Sequence, residues 1–489
     1  IQPSPFTILY VSTVAAEINS NNMSIFRFLT SSTTALFTLI ASTCIIAVPT
    51  PSSSKHGVSG HKVNIAVKAD ESACNHWVDS VYNSLSPRRR VAQLFFPKVV
   101  PTRGDVSRAM LRSLVKDNEV GGLIFTEGFI AQYADMTNYA QAQARVPLLM
   151  TFDGEWGLRM RIPKTPRFPH NMALGAIHNG ESLMYEYGRE MARECRIMGI
   201  HVNFAPVADV NSNPDNPVIS YRSFGEDPQK VASLVCAYSR GLEDGGVQAV
   251  AKHFPGHGDT NSDSHKTLPT LTRTRHQMEQ VELVPFRRFI AEGHSGIMTA
   301  HLAVPTYDKS STPASLSRKI TTELLRNTLG FDGLIYTDAL GMKGATEAVA
   351  NPCVAALRAG ADILLCPPNT ARDIDAVMAA IASGKISAEE VETHCRRVLR
   401  YKYYLGLSKY TPIDRNNLSE RINSVGADDL LRRLAEGAIT VIRNEHNILP
   451  LRHLGQKSIA VVSIGAEASN DFSNTCRRYA PVDLYASRT

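Results

Sequence analysis

Gly333-Leu-Ile-Tyr-Thr-Asp338 is a short apolar, β-branched run that ends on a carboxylate and is followed by a longer helical stretch. It reads as a strand. Working outward, the same theme occurs at 361–366 (Ala-Asp-Ile-Leu-Leu-Cys), 296–301 (Gly-Ile-Met-Thr-Ala-His) and 248–253 (Gln-Ala-Val-Ala-Lys-His). Toward the N-terminus it recurs at 201–206, 147–152, 121–126 and 93–98. Eight strands alternating with helices predict an α/β fold, a (β/α)8 TIM-type barrel. A doubly wound open sheet would show the same alternation. The polar residues favour the barrel: Lys98, Thr126, Asp153, Lys252, His253, His301 and Asp338 stand at or just past the C-terminal ends of their strands, where barrel enzymes carry their sites.

The barrel is expected over 74–405, from Cys74-Asn-His-Trp77 to a closing helix near 388–405. Residues 406–427 read as a linker, and 428–489 as a partial second α/β domain with a helix, the strand Ala438-Ile-Thr-Val-Ile-Arg443 and the strand Ile459-Ala-Val-Val-Ser463. That span is short for an α/β sandwich domain, so the second domain reads as truncated. Residues 1–59 read as leader: 1–22 precede the first methionine and count as non-native. Met23 then begins a segment with one charge, Arg27, and the apolar run Ala35–Ala41, which resembles a secretory signal peptide. The run is too short and interrupted for a membrane span. Export to the periplasm or the outside is the expectation, with lipid anchoring at Cys44 as a variant.

Composition fits a globular enzyme: 489 residues, 43% hydrophobic and 20% charged. The net charge of +6 is spread without a long basic run, so nucleic acid is not an expected partner. Arg88-Arg89-Arg90 follows Ser86-Pro87, an N-cap and first helical position. The eight cysteines show no CxxC spacing and read mostly as buried thiols.

The most specific stretch is Lys252-His253-Phe-Pro-Gly-His257-Gly-Asp259-Thr-Asn-Ser-Asp263-Ser-His265. It leaves a strand end and enters a Gly/Pro-punctuated loop, a place suited to a group that approaches a substrate and leaves again. Its His and Asp residues could be read as metal ligands, but the glycines and proline break helical ligand spacing and no HExxH appears. Asp263 stands two residues before His265, close enough to hold its imidazole as a general acid and base. The bland reading of such a tripeptide is a loop-stabilising contact.

This string, continued through Leu268-Pro269, resembles the loop signature of glycoside hydrolase family 3, in particular its NagZ-type β-N-acetylglucosaminidases. The resemblance covers about 75–405 and continues at Ile448-Leu-Pro-Leu451. It implies that Asp338, within Thr337-Asp338-Ala-Leu-Gly-Met342, is the nucleophile and that His265, held by Asp263, is the acid/base. It further implies that Asp153, Arg161, Arg222, Lys252 and His253 bind the sugar. Trp156 departs from the family pattern, which has glycine there more often. His257 and Asp259 read as shaping the loop, His301 has no clear role, and Glu226 and Asp227 read as caps for the helix after Pro228.

The implied activity is a retaining exo-β-N-acetylhexosaminidase acting on N-acetylglucosamine-containing glycans of cell-wall or chitin type, without metal or organic cofactor. A histidine in place of a second carboxylate repels an anionic acceptor less, so phosphorolysis is a variant. A family 3 β-glucosidase is a rival that the Asp263–His265 loop disfavours. A barrel that only binds wall fragments is the non-enzymatic rival.

Overall fold

The computed structural model describes residues 7–11, 64–66, 69–262 and 268–487, which form two units, 58–440 and 1–57 with 441–489. The segments Met23–Ala47 and Asp263–His265 lie outside the described residues. Twelve strands are described: β1 Thr7–Val11, β2 Phe95–Phe96, β3 Lys98–Val99, β4 Gly122–Phe125, β5 Leu149–Phe152, β6 Val202–Asn203, β7 Gln248–Phe254, β8 Gly296–Thr299, β9 Leu334–Thr337, β10 Leu364–Leu365, β11 Ile459–Ile464 and β12 Val482–Ser487.

In the larger unit β3 to β9 follow one another in sequence order in one parallel sheet. Each of the eight sequence-predicted strands overlaps an observed one, β7 running one residue further to Phe254 and Pro97 separating β2 from β3. The sheet curls: Tyr336 of β9 bridges to Ile363, while Leu364 and Leu365 of β10 pair in parallel with Phe95 and Phe96 of β2. The strand side chains are almost all buried, including Phe95, Phe152, Phe254 and Tyr336, so an apolar core fills the inside of the curl and the helices cover its outside. Because every strand runs the same way, all the C-terminal ends lie on one face.

Local signals hold where the chemistry is local. Ser86 Oγ caps the helix Pro87–Ala92 by accepting from Arg89 N. Asp227 caps Pro228–Asp244, accepting from Gln229 N and Lys230 N, whereas Glu226 takes no part in that cap. Six of the eight cysteines of the chain, Cys74, Cys195, Cys236, Cys353, Cys366 and Cys395, lie in the larger unit as free thiols.

The domain boundary differs from the sequence expectation. The stretch 406–427 is laid against the larger unit: Asn138 brackets Ile413 through Nδ2 to O (2.9 Å) and Oδ1 from N (2.8 Å), and Arg193 donates to Ile422 O at 2.9 Å. The helix Val425–Ala438 also belongs there, burying Leu430 and Leu434 against the helices Asn171–Gly175 and Glu181–Ile197. Its amphipathic face needs that surface, which is why the unit ends at Thr440 rather than 405.

Ala438–Arg443 is not a strand: Ile439 and Ile442 are exposed, and β-branched composition makes no strand without a neighbour to pair with. In the smaller unit β11 pairs in parallel with β12 and with β1. Thr7-Ile-Leu-Tyr-Val11, read from sequence as non-native leader, is thus a strand, as its β-branched and aromatic composition allows.

Trp77 and Trp156, the two tryptophans of the chain, lie in the larger unit, so their fluorescence reports its unfolding alone. Leu434→Ala is expected to lower the stability seen by that signal in urea by about 2–5 kcal/mol, the usual cost of emptying a fully buried leucine site. An unshifted curve would return the helix Val425–Ala438 to the smaller unit.

Candidate active site

The C-terminal strand ends surround a cavity of about 470 Å³ whose lining includes Asp153, Glu155, Arg161, Arg222, Lys252, His253 and Asp338. All six described residues assigned to the site from sequence are therefore brought together. Asp263 and His265 lie outside the described residues.

Asp153 and Glu155 follow β5, Lys252 and His253 end β7, and Asp338 follows β9. Lys252 Nζ donates to Asp153 Oδ1 at 2.6 Å and lies 2.8 Å from Glu155 Oε1. Arg161 Nη2 reaches the other oxygen of Asp153 at 2.5 Å. Arg222, from the short helical turn Ser220–Arg222, grips Glu155 with both Nε (2.9 Å) and Nη2 (2.7 Å). Three cations thus share two carboxylates.

Burial pushes the Glu155 carboxyl up, but Lys252 and Arg222 outweigh it and hold it far below the usual carboxylate range. Asp153 is likewise lowered, burial being overcome by Lys252 and Arg161. Burial pushes the Lys252 ammonium down, yet Asp153 and Glu155 outweigh it and raise its pKa. The network is therefore ionised throughout. Glu155, which taken singly also reads as a structural acid, is the joint between Arg222 and Lys252.

A second layer orients His253. Its Nδ1 lies 2.6 Å from Asp209 Oδ2, and its Nε2 lies 3.3 Å from Arg222 Nη2. Arginine can only donate, so Nε2 accepts and Nδ1 carries the proton shared with Asp209. Asp209 also accepts from His257 N at 2.7 Å and from His253 N at 3.2 Å. Sequence reasoning missed Asp209: Ala208-Asp209-Val210 lies beyond β6 in irregular chain, and nothing in its neighbours marks it as a partner for a histidine 44 positions on.

In the described part of the loop after β7, up to Ser262, His257 and Asp259 make loop contacts. His257 Nδ1 meets Thr260 Oγ1 at 2.7 Å, and Asp259 pairs with Arg273 at 2.7 Å. A Cβ on Gly258 would sit 1.7 Å from Val210 O, so only glycine lets this loop lie on the Asp209 segment.

Asp338 is held by the Ala339 N–H, which donates to its Oδ1 at 2.7 Å. It caps no helix, since the next one begins at Lys343 with Met342 as its cap. Burial pushes its carboxyl up, but His301, His253, the Ala339 N–H and Lys252 together lower it. His301 gains a role here: its Nε2 lies 3.0 Å from Ala339 O and its Nδ1 2.7 Å from Ser315 Oγ, which ties it to the chain directly after Asp338. At the rim Trp156 lines the cavity, edge-on to His170 with ring centroids 4.7 Å apart, and Tyr221 stands 4.7 Å beyond His170.

The arrangement suits a neutral polyol. Charged donors and acceptors, already paired with one another, can each share a bond with a hydroxyl while a separate ionised carboxylate faces the same space.

The model of the glycosyl hydrolase family 3 N-terminal domain matches residues 87–401. The chain is 35% identical over 394 residues to a beta-hexosaminidase A of Pseudoalteromonas piscicida, covering 72% of this chain and 65% of that protein. A beta-hexosaminidase of Nitrosospira multiformis is 37% identical over 283 residues, 55% of this chain and 80% of its own length. Among solved structures, a glycoside hydrolase family 3 beta-N-acetylglucosaminidase from Paenibacillus sp. str. FPU-7 superposes with a TM-score of 0.72 at 32% identity, covering 82% of this chain and 80% of that one.

Asp209→Asn is expected to cost about 1–3 kcal/mol at pH 7, because it leaves the buried imidazole N–H and two backbone N–H groups against an amide. Burial raises and the His253 contacts lower the Asp209 carboxyl, with a net depression. Its stabilisation is therefore present above the unfolded value near pH ~4 and is lost as pH falls through the folded one. Urea unfolding at pH 7 and at about pH 3 checks this: the gap between parent and variant should shrink in acid, and an unchanged gap would contradict it.

Proposed function

The chain belongs to glycosyl hydrolase family 3, and from that premise we propose that it is a retaining exo-β-N-acetylhexosaminidase that removes terminal β-linked N-acetylglucosamine from glycans. The curled sheet is read as the (β/α)8 barrel expected from sequence. One observation carries the reading: an ionised strand-end carboxylate, Asp338, faces the same cavity as the Asp153, Glu155, Arg161, Arg222, Lys252 and His253 network. The export expected from Met23–Ala47 would bring the enzyme to cell-wall or chitin-type substrates.

In this reading Asp153, Arg161, Arg222, Lys252 and His253 bind the sugar hydroxyls and fix the ring. Asp338 attacks the anomeric carbon as the bond to the leaving oxygen breaks, and His265, held by Asp263, gives that oxygen its proton. In the second step His265 takes a proton from water, whose oxygen displaces Asp338 and returns it as a carboxylate. Because Asp338 is depressed below the ordinary aspartate value, it stays ionised through neutral and mildly acidic pH. A decline in kcat/KM above pH ~4 thus belongs to another group.

A series of aryl N-acetyl-β-glucosaminides with leaving groups of graded acidity tests the role of His265. His265→Ala is expected to lose about 10²–10⁴-fold on poor leaving groups and far less on the glycosylation of a dinitrophenyl glycoside, since only the former need a proton in the transition state. Equal losses along the series would make His265 a structural loop residue.

A further inference from the structure

We infer that Cys236, Glu292 and His294 form a divalent-cation site of the zinc type, away from the sugar cavity. Cys236 lies in the helix Pro228–Asp244, Glu292 caps the end of Leu283–Ala291, and His294 comes just before β8. Their Sγ, carboxylate oxygen and imidazole nitrogen lie within 4.8 Å of one another. Cys236 and His294 are buried.

The second observation is the state of the imidazole. Glu243 Oε2 engages His294 Nδ1 at 2.7 Å, and Glu243 Oε1 in turn accepts from Ser295 N at 2.9 Å. This fixes the ring and turns the buried Nε2 toward Cys236 and Glu292. Oε2 of Glu292 is 3.8 Å from it. Nε2 thus faces the Cys236 thiol and the Glu292 carboxylate, and a histidine whose far nitrogen is held by a carboxylate is how proteins present imidazole to a metal.

Donor chemistry and size narrow the occupant. A thiolate, an imidazole and one carboxylate suit zinc or cobalt, whereas calcium and magnesium take oxygen ligands. Bonds of about 2.3 Å to sulfur and 2.0–2.1 Å to nitrogen or oxygen place tetrahedral donors about 3.3–3.6 Å apart. From separations of up to 4.8 Å the cluster therefore needs to contract by about 1.2–1.5 Å at most, and a water completes four ligands. Arg240 and Arg288 hold Glu292 at 2.6 and 2.9 Å. A carboxylate oxygen has a second lone pair, so Oε2 can keep Arg240 and still bind the ion. The ion would tie the helix Pro228–Asp244 to the N-terminal edge of β8, at the opposite strand end from Asp338, so its role is structural and independent of the glycosidase reading.

The test uses the full chain after chelation, titrated with Zn²⁺ alone by calorimetry and with Co²⁺ by absorbance. Expected are one equivalent bound, a thiolate-to-cobalt charge-transfer band and a higher unfolding temperature with Zn²⁺. Cys236→Ser should remove the band and weaken Zn²⁺ binding at least ten-fold while leaving aryl-glycoside turnover at the parent level. Should Cys236→Ser fail to fold, His294→Gln is read in the same way. Absence of Zn²⁺ binding in the parent, or binding that survives in the variants, would overturn the assignment.

Discussion

The buried ammonium of Lys252, 2.6 Å from Asp153 and 2.8 Å from Glu155, is the contact on which the rest of the site depends. It joins the end of β7 to the end of β5, and through the two carboxylates it places Arg161 and Arg222. Lys402 shows what the carboxylates do. It is equally buried but has an amide oxygen, Gln93 Oε1 at 2.7 Å, in their place, and burial brings its ammonium down to about 7. For Lys252 the same burial is overcome and the shift is upward. Desolvation and attraction are both large here, and the geometry of two short contacts decides the sign.

That balance has a consequence for chemistry. The cations on this face are largely neutralised by Asp153 and Glu155, so the cavity presents polar contacts to a sugar without a strong net field. Asp338 stays outside the pairing. It is turned by the Ala339 N–H, backed by His301 through Ala339 O, and kept ionised by the charges around it. A nucleophile needs this combination of fixed orientation and available charge.

Much of this was legible in the sequence because it is written locally. The buried strands announce themselves as apolar runs, and parallel order puts their polar ends on one face without further information. Asp153, Lys252, His253 and Asp338 are therefore placed by strand position alone, while Arg161 and Arg222 needed the family resemblance. Asp209 was not legible, since its partner is fixed only by the fold. The boundary near 405 was misread because the turns and Pro412 after Leu405 look like a linker, whereas the buried face of Val425–Ala438 needs the neighbouring helices to be recognised. Ala438–Arg443 failed the other way: strand composition without a strand to pair with.

If Asp338 is the nucleophile, it becomes covalently attached to the sugar during turnover. Brief incubation with a mechanism-based fluorosugar of the N-acetylglucosamine series, followed by peptide mass spectrometry, measures this directly. One label per chain is expected, on Asp338, and none in Asp338→Ala. A label on Asp153, Glu155 or any other carboxylate, or turnover that persists in Asp338→Ala, would contradict it.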